Sequence, residues 1–111
     1  MISKSHPEIP PRIARSLQKF GVDVEIARKK RRLTMAALSE RAGISVPLYR
    51  RLVQGAAGTS IGAYAMLLFA LGRGTPFDTL LDVGQDDTGL LLDTERLPQR
   101  VRMPRVREAG L

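Results

Sequence analysis

No cysteine occurs among the 111 residues, which excludes a disulfide framework and any cysteine-ligated zinc. Histidine is nearly absent. His6 stands alone in a polar, proline-bounded stretch, a setting that suits an unstructured surface residue better than a metal ligand. No apolar run reaches the roughly 20 residues needed to span a bilayer, and Met1-Ile2-Ser3-Lys4 is not followed by the apolar segment of a secretory signal. The expectation is a soluble, cytoplasmic chain without membrane association. Catalytic equipment is equally thin: no base is placed to activate a serine, and no glycine-rich phosphate loop is tied to a strand. Asp86 and Asp87 are adjacent carboxylates without further ligands, the usual mark of a solvated loop. The reading is of a non-enzyme with no cofactor, no metal and no catalytic residue.

What is present is basic charge, unevenly placed. The chain carries a net +7, and residues 1–55 hold twelve Lys/Arg against four Asp/Glu. Residues 56–95 hold Arg73 against six acids, and residues 96–111 hold five arginines against Glu108. Cationic charge gathered on one portion is the electrostatic footprint of a phosphate-binding surface. A solvated helical face accounts for many such runs, but here the excess coincides with a recognisable pattern.

That pattern is LTMAALSERAGISVPLYRRLVQG, residues 33–55: two short amphipathic helices joined by a glycine turn. Thr34 suits an N-cap, its hydroxyl accepting from orphan backbone N–H groups. Met35, Leu38, Ser39 and Ala42 fall on one side at spacings of three, four and seven. Gly43 stands where a left-handed residue ends the helix, and Ile44 can turn into the core. Ser45 caps the second helix, Pro47 falls in its first turn where a missing N–H costs little, and Gly55 closes it. Helix–turn–helix units of this kind place a short helix in the major groove of DNA.

Around this centre, residues 1–11 read as a flexible lead. From about Arg12, Ile13, Leu17, Phe20, Val24 and Ala27 keep helical spacing, with Gly21 marking a kink or a break. Lys29 to Arg32 end that helix, opposite the negative end of its dipole. After a loop through Gly58, Ser60 caps IGAYAMLLFALG, residues 61–72, which is apolar on nearly every side. Such a helix is buried, or buried on one face and covered by a partner on another; in so small a chain the surplus suggests a dimer contact. Thr75 and Pro76 open an expected fifth helix, with Phe77, Leu80 and Leu81 facing in. Leu90-Leu91-Leu92 forms a strand or a helical turn, and the arginine-rich end reads as disordered in isolation. The expected organisation is a lead at 1–11, an all-α domain at 12–83 with its helix–turn–helix core at 34–55, and an extension with a basic tail at 84–111.

The chain resembles the Xre/Cro-type helix–turn–helix regulators over residues 20–83, through Val24, Ala27, Arg28, Leu33-Thr34, Leu38, Ala42-Gly43-Ile44-Ser45, Leu52 and Gly55. The TSIGAYAMLLFALG segment, an aspartate-bearing helix and the Arg-Leu-Pro tail look like the HipB-type antitoxins. The resemblance implies the five-helix lambda-repressor-like fold, a homodimeric repressor of operator DNA, and a HipA-type kinase toxin as partner. Alternatives are a stand-alone Xre-type regulator and a protein-binding module that uses the helix–turn–helix as a scaffold. In such domains the N-terminal residues of the second helix meet base edges, here Val46, Pro47 and Arg50, with Arg51 beside them. Arg50 is the foremost candidate, since a guanidinium can donate two bonds to guanine. Ser45 with Thr59 or Ser60 would position phosphates at helix N-termini, and Arg41 would add charge near the turn. Two positions depart from the family pattern. Met35 replaces a phosphate-anchoring glutamine, and Val53 replaces a glutamate that pairs with the arginine matched by Arg28. Glu40 or a DNA phosphate then stands as that arginine's alternative partner.

Overall fold

A computed structural model describes residues 8–92 and 97–103. The expectations for His6, for most of the N-terminal lead, and for Arg96, Arg105 and Arg107 lie outside these residues. Among the described residues every regular element is helical. They are α1 (Pro11–Lys30), α2 (Met35–Ala42), α3 (Val46–Val53), α4 (Ile61–Ala70) and the single-turn α5 (Asp87–Leu90), with short 3-10 turns at Pro76–Asp78 and Val83–Gln85. Contacts divide the chain into two units between Asp78 and Thr79.

In the first unit, caps fix where each short helix starts. Thr34 Oγ1 accepts from Ala37 N at 3.0 Å, Ser45 Oγ from Leu48 N at 3.2 Å, and Ser60 Oγ from Ala63 N at 3.1 Å. Each cap satisfies a backbone donor that the helix itself leaves orphaned. Gly43 ends α2 at φ +70°, a left-handed conformation that costs a residue without a Cβ little. The same conformation ends α1 at Arg32, φ 57°, this time in a residue that bears the steric strain of a Cβ.

The core gathers Val24 from α1, Leu38 and Ala42 from α2, Tyr49 and Leu52 from α3, and Ala63, Leu67 and Leu71 from α4 and its end. The face expected of α2 is the face it buries: Leu38, Ser39 and Ala42 are inside and Met35 packs against them. Among the described residues Ser39 Oγ finds no hydrogen-bond partner. Ile44 turns into the core as expected, and Ile13, at the start of the α1 stripe, is nearly half exposed. Arg31 fastens α1 to the end of α4, its Nε donating to Leu71 O at 2.9 Å. Its Nη1 donates to Ala27 O at 2.9 Å.

Two expectations are corrected. Gly21 neither kinks nor breaks the first helix, which runs unbroken through it. Its role is steric: a Cβ at Gly21 would fall 2.0 Å from Val53 O. The helix tolerates a glycine because α3's backbone occupies the missing side chain's place. The second correction concerns the fifth helix. Only a 3-10 turn forms at Pro76–Asp78, Phe77 is partly exposed, and Leu80 and Leu81 are 64% and 80% exposed. A segment this short is marginal as a helix unless an apolar face is buried, and these leucines bury little. Asp82 adds a competing local bond, its carboxylate accepting from Gly84 N at 3.3 Å, the kind of side-chain turn that diverts a backbone from helix. In the second unit Asp87–Leu90 forms one helical turn that takes in the first of the three leucines; Leu91 is its C-cap, and Leu91 and Leu92 are exposed.

Gly21→Ala is expected to lower the free energy of unfolding by about 1–3 kcal/mol, the usual cost of overpacking, although alanine is the better helix former by about 1 kcal/mol. Urea unfolding followed by circular dichroism measures the change. A variant more stable than the parent would show the two backbones free to part.

Candidate nucleic-acid interface

α3 is eight residues long and carries both of its charges, Arg50 and Arg51, side by side. Tyr49 and Leu52 are buried, Leu48 and Val53 are half-buried against the core, and Pro47, Arg50 and Arg51 are exposed, with Val46 half-buried at the helix start. At 3.6 residues per turn, Val46, Pro47, Arg50 and Arg51 share one outward arc. Among the described residues neither arginine side chain has a hydrogen-bond or ion-pair partner, and the same holds for Arg41 in the last turn of α2.

The other expected positions are placed differently. Ser45 and Ser60 spend a hydroxyl lone pair on capping α3 and α4. The Thr59 hydroxyl donates to Ala56 O at 3.5 Å. Ala56 O also accepts from the Tyr64 hydroxyl at 2.9 Å, and Tyr64 packs its ring 5.5 Å from that of Phe20. The loop after α3 is thus tied to α4, and through Phe20 to α1.

What holds α3 in this rotation is a polar cluster that spacing alone did not reveal. Arg28, at 8% exposure, donates from Nη2 to Glu25 Oε1 at 2.8 Å and from Nε to Glu25 Oε2 at 3.2 Å. The same Nε reaches the Tyr49 hydroxyl at 3.1 Å, and Nη1 donates to Leu33 O at 2.7 Å. The Tyr49 hydroxyl donates in turn to Glu25 Oε2. Glu25 therefore fills the part for which Glu40 or a phosphate was expected; Glu40 is exposed on α2. The i,i+3 spacing of Glu25 and Arg28 on one helix was the available signal. Tyr49 had none, because nothing local links residues 24 apart.

The electrostatics follow from this packing. The Arg28 guanidinium beside it holds the Glu25 carboxyl below its ordinary value, and Glu25 raises that of Arg28. Burial pushes the Tyr49 phenol up to about 12, with the Glu25 carboxylate adding to the effect.

No protein-family model, curated protein or solved structure matches the chain.

Glu25→Gln is expected to destabilise the fold by about 3 kcal/mol at neutral pH, because it leaves a buried guanidinium without its counter-charge. The pH dependence has a defined sign. A carboxyl whose folded value lies below its unfolded one binds its proton more readily when unfolded. Its stabilisation is therefore complete above the ordinary value near 4.5 and fades as pH falls through the lowered one. Tyr49, with its folded value raised, stabilises below pH 10 and loses this as pH climbs toward about 12. Urea midpoints across pH measure both limbs. An acid limb as steep in Glu25→Gln as in the parent would remove Glu25 from this account.

Proposed function

We propose that this chain binds double-stranded DNA with sequence preference by laying the outward arc of α3 in the major groove. The carrying observation is the pair Arg50–Arg51, exposed and, among the described residues, unpaired on the outward face of a helix that buries Tyr49 on its inner one. Guanidinium groups held out from a rigid body without internal partners suit guanine edges and phosphate oxygens. Arg50, in the middle of α3, is assigned to a base edge, and Arg51 to a base or a phosphate. Val46 and Pro47 offer apolar contact to a thymine methyl. The backbone N–H groups at the starts of α3 and α4, with Ser45, Thr59 and Ser60, are assigned to phosphates, and Arg41 and the Lys29–Arg32 run to longer-range attraction.

One eight-residue helix reads few base pairs, so specific affinity calls for two copies with half-sites about 34–36 Å apart. The reading is of a homodimeric transcriptional repressor. Its resemblance to HipB-type antitoxins extends it to a HipA-type kinase toxin as protein partner, with the arginine-rich tail serving toxin or DNA. Met35 and Val53, which replace two family residues near the DNA face, both pack against the core. Phosphate anchoring therefore falls to the helix N-termini and the arginines.

Mobility-shift titrations against the chain's own upstream region test this. Arg50→Ala is expected to cost about 1–3 kcal/mol of specific affinity and to relax preference at one position of each half-site. Arg51→Ala, if its contact is a phosphate, weakens all sequences alike and lowers the salt slope by about one. Equal retardation of unrelated duplexes, untouched by Arg50→Ala, would leave a protein-binding scaffold instead. Co-purification with the product of the neighbouring gene tests the toxin partner.

A further inference from the structure

α4 asks for more burial than its own chain supplies. Ala63, Leu67 and Leu71 go into the core, while Ile61 and Phe69 remain 67% and 63% exposed and Met66 47%. Ile61, Gly62, Ala65, Met66 and Phe69 share an arc of about 140° at 3.6 residues per turn, and all five are apolar. Ile61, Met66 and Phe69 stand out, and Gly62, beside Ile61 and one turn before Met66, puts no side chain on the face. A Cβ there would meet nothing nearer than Ser60 Oγ at 3.8 Å.

Charge narrows what can cover this face. Residues 52–72 form a run of 21 without Asp, Glu, Lys, Arg or His, the longest in the sequence; the next, residues 42–49, has eight. The side chains of this face therefore offer no charge to recruit a charged partner. Two copies of a chain with net charge +7 repel wherever their cationic surfaces meet. Across this face they can approach without desolvating a charge, and each removes apolar surface from water. A twofold pairing presents the same patch from both sides, so each copy brings both the projecting side chains and the bare position at Gly62 that receives one.

We propose that the exposed face of α4 is the seat of a second copy of this chain, α4 against α4, with Phe69 as its anchor and the bare Gly62 position receiving it. This rests on the DNA reading for the need of a pair and adds the surface that makes it.

Sedimentation velocity on the full chain, without DNA, decides the matter. The parent is expected at twice the 12.2 kDa of one chain. Phe69→Asp is expected to weaken self-association roughly tenfold or more, with the helical circular dichroism spectrum unchanged because Phe69 lies outside the core. Gly62→Leu, which fills that position and favours the helix, is expected to weaken it as well, and Phe69→Leu to retain it. A parent that sediments as a single chain at micromolar concentration overturns the proposal. So does a pair of variants, Phe69→Asp and Gly62→Leu, that dimerise like the parent. The DNA reading fails separately. A parent dimer broken by both variants that retards no duplex supports this interface and sinks that reading, whereas a lone chain giving specific retardation does the reverse.

Discussion

The buried guanidinium of Arg28 is the constraint around which the first unit is arranged. A cation at 8% exposure is tolerable only if its donors are met and its charge is answered. Glu25 answers the charge from one turn earlier on α1, Leu33 O takes Nη1 at the entry to α2, and the Tyr49 hydroxyl closes the cluster from α3. One side chain thereby fixes three elements relative to each other. Apolar packing alone would leave α3 free to roll by a fraction of a turn, since Leu48, Leu52 and Val53 are similar in shape and greasiness. A phenol that must reach a particular carboxylate removes that freedom, in line with the idea that buried polar networks specify a unique packing.

α1 is the frame for this arrangement, and it is used at several heights. Near its middle Gly21 lets the α3 backbone approach until only a hydrogen atom fits between them. A turn later Val24 and Glu25 meet the core and the cluster. At its end Arg31 reaches Leu71 O, tying the close of α4 to the same helix. A helix of 20 residues can serve in this way because its length gives it more internal bonds to lose than the eight-residue helices that it orients. The glycine that weakens α1 locally is thus the condition for α1 and α3 to lie close.

How legible this was in the sequence depended on the range of the interaction involved. Caps and closures are decided within four residues, so Thr34, Gly43, Ser45 and Ser60 are found where their neighbours place them. The apolar faces of α2 and α3 follow from period, and Leu38, Ala42 and Leu52 are buried accordingly. Gly21 stands out in the helical pattern, but its steric role is not legible there, because the atom that excludes a Cβ belongs to a residue 32 positions away. For Arg28 the family pattern points to Glu40 or a DNA phosphate, and the partner found lies three residues back on the same helix. The expected helix from Pro76 shows the limit of period itself: Phe77, Leu80 and Leu81 are correctly spaced, yet spacing makes a helix only when something covers the stripe. For the candidate interface, exposure of Arg50 and burial of Tyr49 were both readable from α3's periodicity. The cluster that fixes their orientation was not, because it pairs α1 with α3.

The adjacency of Tyr49 and Arg50 ties structure to proposed use. Successive residues on a helix are about 100° apart, so a helix that buries the phenol must turn the next guanidinium well away from the core. Two neighbouring cations on so short a helix repel each other, and no acid of α3 answers them. That cost is met by Tyr49 and Leu52, which draw the opposite face inward. Exposure of the arginines and burial of the cluster are therefore one event viewed from two sides. A change that loosens Tyr49 from Glu25 would blur the direction of Arg50 before it unfolded the domain. Base readout needs a donor fork held in one direction, whereas phosphate attraction tolerates a wandering one. The buried cluster stabilises the fold whatever the surface binds, and for the proposed readout it also sets the direction in which α3 presents Arg50.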